Sequence, residues 1–533
     1  MGKADPRIGW VLDRAAKERA PELGTIDLGT DERRTWSEIK RRVGGLATAL
    51  AGPGLSLKRG DRVAILSLNS ARHFELWFAI PESGLVMNDL NFRLAVEELR
   101  FICDDSQVGL LFVDDTFLEA GRALRAMCDA LHTLVWLGVG EDAPEGTIAY
   151  DILAATEPAD LPEPDSEDVA AIFYTGGTTG LPKGVMLTHR NLTANALNVI
   201  NIARLSWRDR YLHAAPQFHI ADGAFAYSLT WVGGTHVFIP AFDPSRVVEV
   251  LEAEAITVGL LVPTMITMCV AGGALADADL SAMRLMVYGA SPMPAEVQRR
   301  ALPAFGCDFM QAYGMTEAAP VVTYLDEAAH ECGLAGEEPW AGRLRSAGSP
   351  VPGVRAEVRR DDGSIADPGE PGEIWVQGAN IMKGYWNRSE ETAHALVDGW
   401  YRSGDVAYAD EGGFLYIVDR AKDMIISGGE NIYTTEVENA IYSNSAVLEA
   451  AAFGIPHEDW GEAVHAEVVL KPGETAESDE IIEHCRTLIA RYKVPRSVKI
   501  RTADEPLPKS GAGKVLKREL REPFWEGQER RVG

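Results

Sequence analysis

Between Tyr174 and Gly184 the chain reads Tyr-Thr-Gly-Gly-Thr-Thr-Gly-Leu-Pro-Lys-Gly, placing four glycines, three threonines and one lysine in eleven residues. Glycine lets successive backbone amides turn toward one anion, and hydroxyls and an ammonium add donors and charge. Coming straight after the apolar run 170–174, these residue types make a phosphate cradle. It is not a Walker A loop, because Lys183 follows Pro182 and precedes Gly184 rather than Ser or Thr. No GxGxxG opening of a dinucleotide fold is present, nor the His-Arg-Asp and Asp-Phe-Gly pair of a protein kinase.

Four further segments concentrate chemistry in the same way. Gln311-Ala312-Tyr313-Gly314-Met315-Thr316-Glu317 offers a ring, a hydroxyl and a carboxylate. A carboxylate beside a triphosphate repels it unless a divalent cation intervenes, and Mg2+ takes oxygen ligands. Tyr401-Arg402-Ser403-Gly404-Asp405 ends in an acceptor-only group suited to a diol. Asp419-Arg420-Ala421-Lys422-Asp423 leads into a run ending Ser427-Gly428-Gly429-Glu430-Asn431-Ile432. Last comes Leu507-Pro508-Lys509-Ser510-Gly511-Ala512-Gly513-Lys514-Val515-Leu516-Lys517-Arg518, glycine-rich and basic. Taken singly, several of these would pass for solvated turns.

Together and in this order, the five segments resemble the signature motifs of the adenylate-forming superfamily. Within it the chain is similar to AMP-forming acyl- and aryl-CoA synthetases such as fatty-acyl-CoA ligases. The resemblance implies ATP, Mg2+ and CoA as co-substrates and cofactor. It places Thr175, Gly176, Thr178, Thr179, Gly180 and Lys183 on the phosphates, with Thr175 also taking part in catalysis. Gly289, Ala290 and Ser291 would touch adenine together with Gln311, Tyr313, Gly314 and Met315, while Thr316 would meet phosphate and Glu317 would hold Mg2+. Asp405 would accept from the ribose hydroxyls, with Ile417, Arg420 and Lys422 beside the nucleotide. Gly428 and Gly429 would line a pantetheine tunnel after a domain rotation about Asp419. Lys514 matches the adenylation lysine. The pair Lys509-Ser510 departs mildly from the family's Arg-Thr but keeps charge and hydroxyl.

The implied reaction activates a carboxylate by attack on the α-phosphorus of ATP, releasing pyrophosphate and leaving acyl-AMP, which a thiol then cleaves. Positioning and charge neutralisation do this work without a protein nucleophile. The acid pocket is expected from Gln217-Phe218-His219, residues 222–231, Pro263-Thr264 and Tyr288 to Pro292, with His219 near the carboxylate. An aspartate for an α-amine is not convincingly placed, since Asp222 sits at the wrong offset. The expected acid is therefore unaminated: medium-chain, short branched or aryl. No serine-bearing carrier domain follows Lys514, so free CoA is the expected acceptor. The alternative is a stand-alone acyl-AMP ligase that loads a phosphopantetheine carrier protein.

These motifs need elements to carry them. Trp36, Ile39, Val43, Leu46 and Leu50 recur at three and four and predict a helix over 34–51. A second helix is predicted over 73–87 and a third over 191–202. Short apolar runs at 63–66, 108–113, 170–174, 236–239, 258–261 and 285–288 read as strands of a sheet covered on both faces. Helix and strand signals thus alternate at α/β spacing. From Val358 the runs become hairpins, at 373–376 and 413–418. A compact α+β unit follows, with a helix opened by a Thr435/Glu438 capping box, strands at 449–453 and 466–470, and a helix over 479–490. The predicted class is α/β and α+β. A large domain of layered α/β subdomains plus a β unit (1–419) joins a small mobile C-terminal domain (420–533) by a short hinge.

Composition narrows the classes. Of 533 residues 46% are apolar and 24% charged, which excludes wholesale disorder. With 51 basic and 79 acidic residues the net charge is −28, so nucleic acid and anionic membranes are repelled at long range. The six cysteines form no CxxC pair, arguing against a disulfide framework or zinc ribbon and for a reducing, cytoplasmic setting. No apolar h-region follows Met1, so no secretory signal is expected. The uncharged stretch 256–276 is long enough to span a bilayer, but its glycines, threonines and Pro263 predict a buried strand, a Pro-started helix and a turn. A homodimer is compatible with this composition.

Overall fold

The computed structural model describes residues 6–175, 182–290, 293, 295–420, 423–427, 430–457, 460–502, 505–509 and 515–526. Among them four sheets form. The largest has nine strands, in the order Ser349–Pro350, Val321–Leu325, Asp308–Gly314, Leu285–Gly289, Val258–Leu260, Arg210–His213, Thr235–Phe238, Leu23–Asp27 and Glu32–Thr35. Its interior is parallel from Asp308–Gly314 to Leu23–Asp27, and both margins turn antiparallel. The eight-stranded sheet runs Gly384–Tyr385, Lys183–Thr188, Val169–Thr175, Val86–Asp89, Arg62–Leu66, Val108–Val113, Thr133–Trp136 and Ile148–Ala149. It too is parallel inside and antiparallel at the Gly384 edge. Thr175, Gly289 and Gly314 therefore lie at carboxyl ends of strands, where open α/β sheets bind ligands.

Helices fill the space between these two sheets. Trp36–Ala51 starts where Thr35 Oγ1 accepts from Glu38 N, while Glu38 accepts from Thr35 N at 2.7 Å. It buries Trp36, Ile39, Val43, Leu46 and Leu50, the residues whose spacing predicted it. Each such side chain contributes roughly 1.5–3 kcal/mol. Ile8–Glu18, Ala71–Glu82 and Ile220–Val232 complete this core, and Trp36 Nε1 donates to Gly233 O at 3.3 Å.

Three predicted elements come out differently. The 73–87 helix is Ala71–Glu82 followed by the buried strand Val86–Asp89. Pro81 sits in its last turn and Gly84 takes a left-handed φ of 80°, so Leu85, Val86 and Met87 leave the helix for the sheet. The Thr435/Glu438 capping box does not form. The helix is Thr434–Tyr442, opened by Tyr433 without a side-chain cap. Thr435 Oγ1 instead donates to Val418 O, and Glu438 accepts from Ala452 N at 2.8 Å and pairs with Lys517 at 2.8 Å. The helix predicted over 479–490 is Ser478–Arg486.

The stretch 256–276 is strand Val258–Leu260, helix Pro263–Ala271 with proline in its first turn, and the 3-10 turn Ala274–Ala276. No helix among the described residues is long and apolar enough to cross a membrane. All six cysteines are free. The third sheet joins Val354–Arg359, Gly372–Gly378, Trp400–Ala409, Leu396–Val397 and Leu415–Arg420. The fourth joins Glu430–Ile432, Ile425–Ser427, Gly461–Leu470, Val447–His457 and Ser497–Arg501 over its own apolar core.

Candidate functional site

The glycine- and threonine-rich segment lies between two strands that pair with each other. Val169–Thr175 pairs antiparallel with Lys183–Thr188, with Tyr174 opposite Gly184 and Thr175 opposite Lys183. Thr175 and Lys183 thus form the last described pair of these strands. Gly176, Thr178, Thr179 and Gly180 lie outside the described residues. Behind the Lys183 stem, Gly384–Tyr385 adds a short strand, with Tyr385 opposite Val185. Lys183 Nζ lies 5.2 Å from the centroid of the Tyr385 ring, within cation–π range.

Tyr385 also reaches the second motif. Its hydroxyl donates to Glu317 Oε1 at 3.0 Å. Burial first, then the Glu317 charge, raises the Tyr385 phenol well above its ordinary range, so it stays a donor. The buried Tyr401 phenol is raised for the same two reasons, in the same order. Glu317 stands on the 3-10 turn Thr316–Ala318, after Asp308–Gly314 has left the sheet. That exit is tight. A Cβ on Gly314 would lie 1.9 Å from Pro320 O, whose carbonyl accepts from Met315 N at 3.0 Å. Asn380 Nδ2 donates to Ala318 O at 2.7 Å and Val321 O at 3.1 Å, and Met382 N donates to Glu317 O at 2.8 Å. The backbone of Glu317 and the residues after it is therefore held by the segment leading to Tyr385.

A second contact joins motifs distant in sequence. Tyr313 OH donates to Asp405 Oδ2 at 2.7 Å. Asp405 lies opposite Arg420 in the third sheet, and Ile417 pairs with Ala407. Beside Tyr313, the Gly289 strand packs so closely that a Cβ on Gly289 would meet Ala312 O at 2.4 Å. Ala290 follows with a left-handed φ of 67°. Gln311 is buried, and its Oε1 accepts from Tyr288 OH at 3.3 Å. Ser291, Lys422, Gly428, Gly429 and Lys514 lie outside the described residues, as does the side chain of Arg420.

His219 caps the helix Ile220–Val232, its Nδ1 accepting from Ala221 N at 3.2 Å. Burial pushes the imidazole down to about 4, so it is neutral near pH 7. Asp222 is buried and committed: Oδ2 contacts His213 Nδ1 at 2.6 Å and Oδ1 accepts from Tyr211 OH at 3.2 Å. His213 Nε2 then meets His236 Nδ1 at 2.9 Å. The Asp222 carboxylate is thus engaged by the neighbouring strand Arg210–His213.

Among the described residues no group of three or more His, Cys, Asp or Glu gathers to hold a metal. A single carboxylate with hydroxyl neighbours suits a cation that takes most of its ligands from water and phosphate, as Mg2+ does. The residue that sequence reasoning missed is Tyr385. Gly384-Tyr385-Trp386 carries no charged residue or glycine-rich pattern, and only the fold brings its hydroxyl to Glu317 and its ring to Lys183.

Comparison with known proteins adds an independent line. The AMP-binding enzyme family model matches residues 12–386, and the AMP-binding enzyme C-terminal domain model matches 436–514. The feruloyl-CoA synthase of Amycolatopsis sp is 42% identical over 492 residues, covering 92% of this chain and 94% of that protein. The fatty acid–[acyl-carrier-protein] ligase ScoC of Streptomyces coeruleorubidus is 35% identical over 503 residues, covering 93% of each. The crystal structure of ATP-bound MatB from Rhodopseudomonas palustris superposes with a TM-score of 0.85 at 28% identity, over 97% of this chain and 99% of that one.

Proposed function

We propose that this chain, which belongs to the AMP-binding enzyme family in its AMP-forming acyl- and aryl-CoA synthetase branch, joins an unaminated carboxylic acid to the thiol of free CoA. The observation that carries the reading is the chain of contacts from Lys183 through Tyr385 to Glu317, beside the Tyr313–Asp405 pair. It supplies a cation and a carboxylate on one ring together with a ring-supported diol acceptor, the groups a nucleoside triphosphate requires.

In the first step a carboxylate oxygen attacks the α-phosphorus, the bond to the β-phosphate oxygen breaks, and pyrophosphate leaves. Thr175, Thr178, Thr179 and Lys183 hold the β and γ groups. Tyr313 and the Gly289–Ala290 ledge take adenine, and Asp405 takes the ribose hydroxyls. Glu317 would hold Mg2+, which when bound neutralises charge on the phosphates. Tyr385 orients the Glu317 carboxylate. Lys514 bridges the acid and the α-phosphate, a task for a long-stemmed point charge. In the second step the CoA thiol attacks the acyl carbonyl, and AMP leaves. The proposed hinge lies at residues 419–420. Rotation of 420–533 withdraws Lys514 and turns Gly428 and Gly429 toward the thiol path.

The acid is proposed to be aryl or fatty. The aryl reading draws on the similarity to feruloyl-CoA synthase, and the absence of an amine on the commitment of Asp222 to His213 and Tyr211. His219, neutral near pH 7, packs by the carboxylate as an uncharged donor. A mass-resolved end-point assay with ATP, Mg2+, CoA and a panel of aryl, fatty and branched acids tests this. A discrete acyl-CoA plus AMP supports the reading. Acyl-AMP and pyrophosphate without acyl-CoA reject CoA as acceptor and point to a phosphopantetheine carrier protein.

A further inference from the structure

Both stems of the phosphate hairpin are tied to one residue outside the site, one through its carboxylate and the other through its main-chain carbonyl. Asp105 stands at the end of the helix Val96–Ser106, which carries none of the residues read as binding nucleotide or acid. Its Oδ2 accepts from Tyr174 OH at 2.6 Å, and its Oδ1 accepts from Arg388 Nη2 at 3.1 Å. Its main-chain carbonyl accepts from Trp386 Nε1 at 3.0 Å and Asn387 Nδ2 at 3.3 Å. Trp386 N in turn donates to Gly184 O at 2.7 Å. Tyr174 and Gly184 face each other across the hairpin, next to the Thr175–Lys183 pair. One stem is thus held directly by Asp105 and the other through Trp386, whose chain neighbour Tyr385 meets Glu317 and Lys183.

The location of Asp105 supports a purpose beyond the helix. The C-terminal end of a helix disfavours a negative charge, so the residue works against its local setting. Its side chain is only 12% exposed, and its ion pair with Arg388 crosses to a segment more than half the chain away in sequence. Such local inconsistency, compensated by tertiary partners, marks functional positions.

We propose that Asp105 is a positioning residue. It fixes the spacing between the phosphate hairpin and the Tyr385–Glu317 pair, and so governs ATP affinity without touching ATP. This rests on the assignment of that hairpin to ATP made above.

The test measures equilibrium binding of a non-hydrolysable ATP analogue with Mg2+, alongside both half-reactions, in Asp105→Ala, Asp105→Asn and Tyr174→Phe. Asp105→Ala is expected to weaken nucleotide binding and raise KM for ATP about tenfold, the scale of a lost charge-assisted hydrogen bond. KM for the acid, and thioester formation from supplied acyl-AMP, are expected to stay within about twofold. Asp105→Asn, which keeps one oxygen for Tyr174 but turns an amide donor toward Arg388 and carries no charge, recovers only part of the loss. Tyr174→Phe gives a similar ATP defect, and the double variant is no worse than Asp105→Ala alone. Unchanged nucleotide affinity in a folded variant, or equal loss in both half-reactions, overturns the proposal. Should Asp105→Ala fail to fold, Tyr174→Phe decides on the same readings. A wild-type protein that binds the analogue but makes no acyl-AMP refutes the reaction assigned above and leaves the binding test intact.

Discussion

Tyr385→Phe removes one oxygen from the junction between Lys183 and Glu317 and leaves the ring. The bond lost is a neutral donor on a carboxylate at 3.0 Å. Deleting a hydrogen bond to a charged group costs about 1.5–3 kcal/mol, and at this half-buried site the lower end applies. About 1.4 kcal/mol is a factor of ten. The Lys183 contact at 5.2 Å survives in phenylalanine and disappears in Tyr385→Leu. That ring contact is worth roughly 0.5–1 kcal/mol, or a further two- to fivefold. In pyrophosphate exchange at varied Mg·ATP, the expected KM is thus about tenfold higher for the phenylalanine variant and higher again for the leucine variant. Thioester formation from supplied acyl-AMP should not move. In a Glu317→Gln background the phenylalanine change should add little, because the charged acceptor is gone. The reasoning is refuted if both variants match wild type for Mg·ATP, or if the effect persists undiminished beside Glu317→Gln.

Other outcomes follow from the same geometry. Gly314→Ala puts a Cβ 1.9 Å from Pro320 O, so the strands must part by about an ångström and the Met315–Pro320 bond must break. We expect about 1–3 kcal/mol of lost stability, read by urea unfolding, and a far larger loss of adenylation. Lys514→Ala should abolish acyl-AMP formation from acid and ATP yet spare thioester formation from supplied acyl-AMP, with stopped-flow of each half-reaction as the check. His189 and His219 are both held down to about 4 from an ordinary 6.5, by burial first. The unfolded chain then binds more protons than the native one between these values. Stability is full above pH 6.5 and falls as pH drops toward 4, by roughly 3 kcal/mol at most for the buried His189. Denaturant midpoints across this range should decline, and less steeply in His189→Gln.

The site was legible where chemistry forces residue types into short segments. Phosphate binding needs glycines, hydroxyls and a lysine close together, so residues 174–184 stand out in the sequence as the proposed phosphate site. The same holds for Tyr313 to Glu317 and for Asp405. What links these segments was not legible. Tyr385, Asp105 and Asn380 act through contacts between elements far apart in sequence, and none stands in a pattern that names its partner. The α/β alternation was readable because buried parallel strands are short apolar runs. The same feature misled the reading at 73–87, since Leu85-Val86-Met87 suits a helix end as well as a strand until Gly84 turns the chain. Thr435 and Glu438 have capping-box spacing, but stronger tertiary partners, Val418 O and Lys517, take both side chains.

The central claim is that the acid attacks the α-phosphorus of ATP. It is tested most directly by supplying a substrate acid with both carboxylate oxygens as oxygen-18, with ATP, Mg2+ and CoA, and following the label by mass spectrometry. The account predicts one labelled oxygen on the phosphate of AMP and none in pyrophosphate. Label in inorganic phosphate, with ADP as the nucleotide product, would mean that an acyl phosphate forms instead and would contradict it.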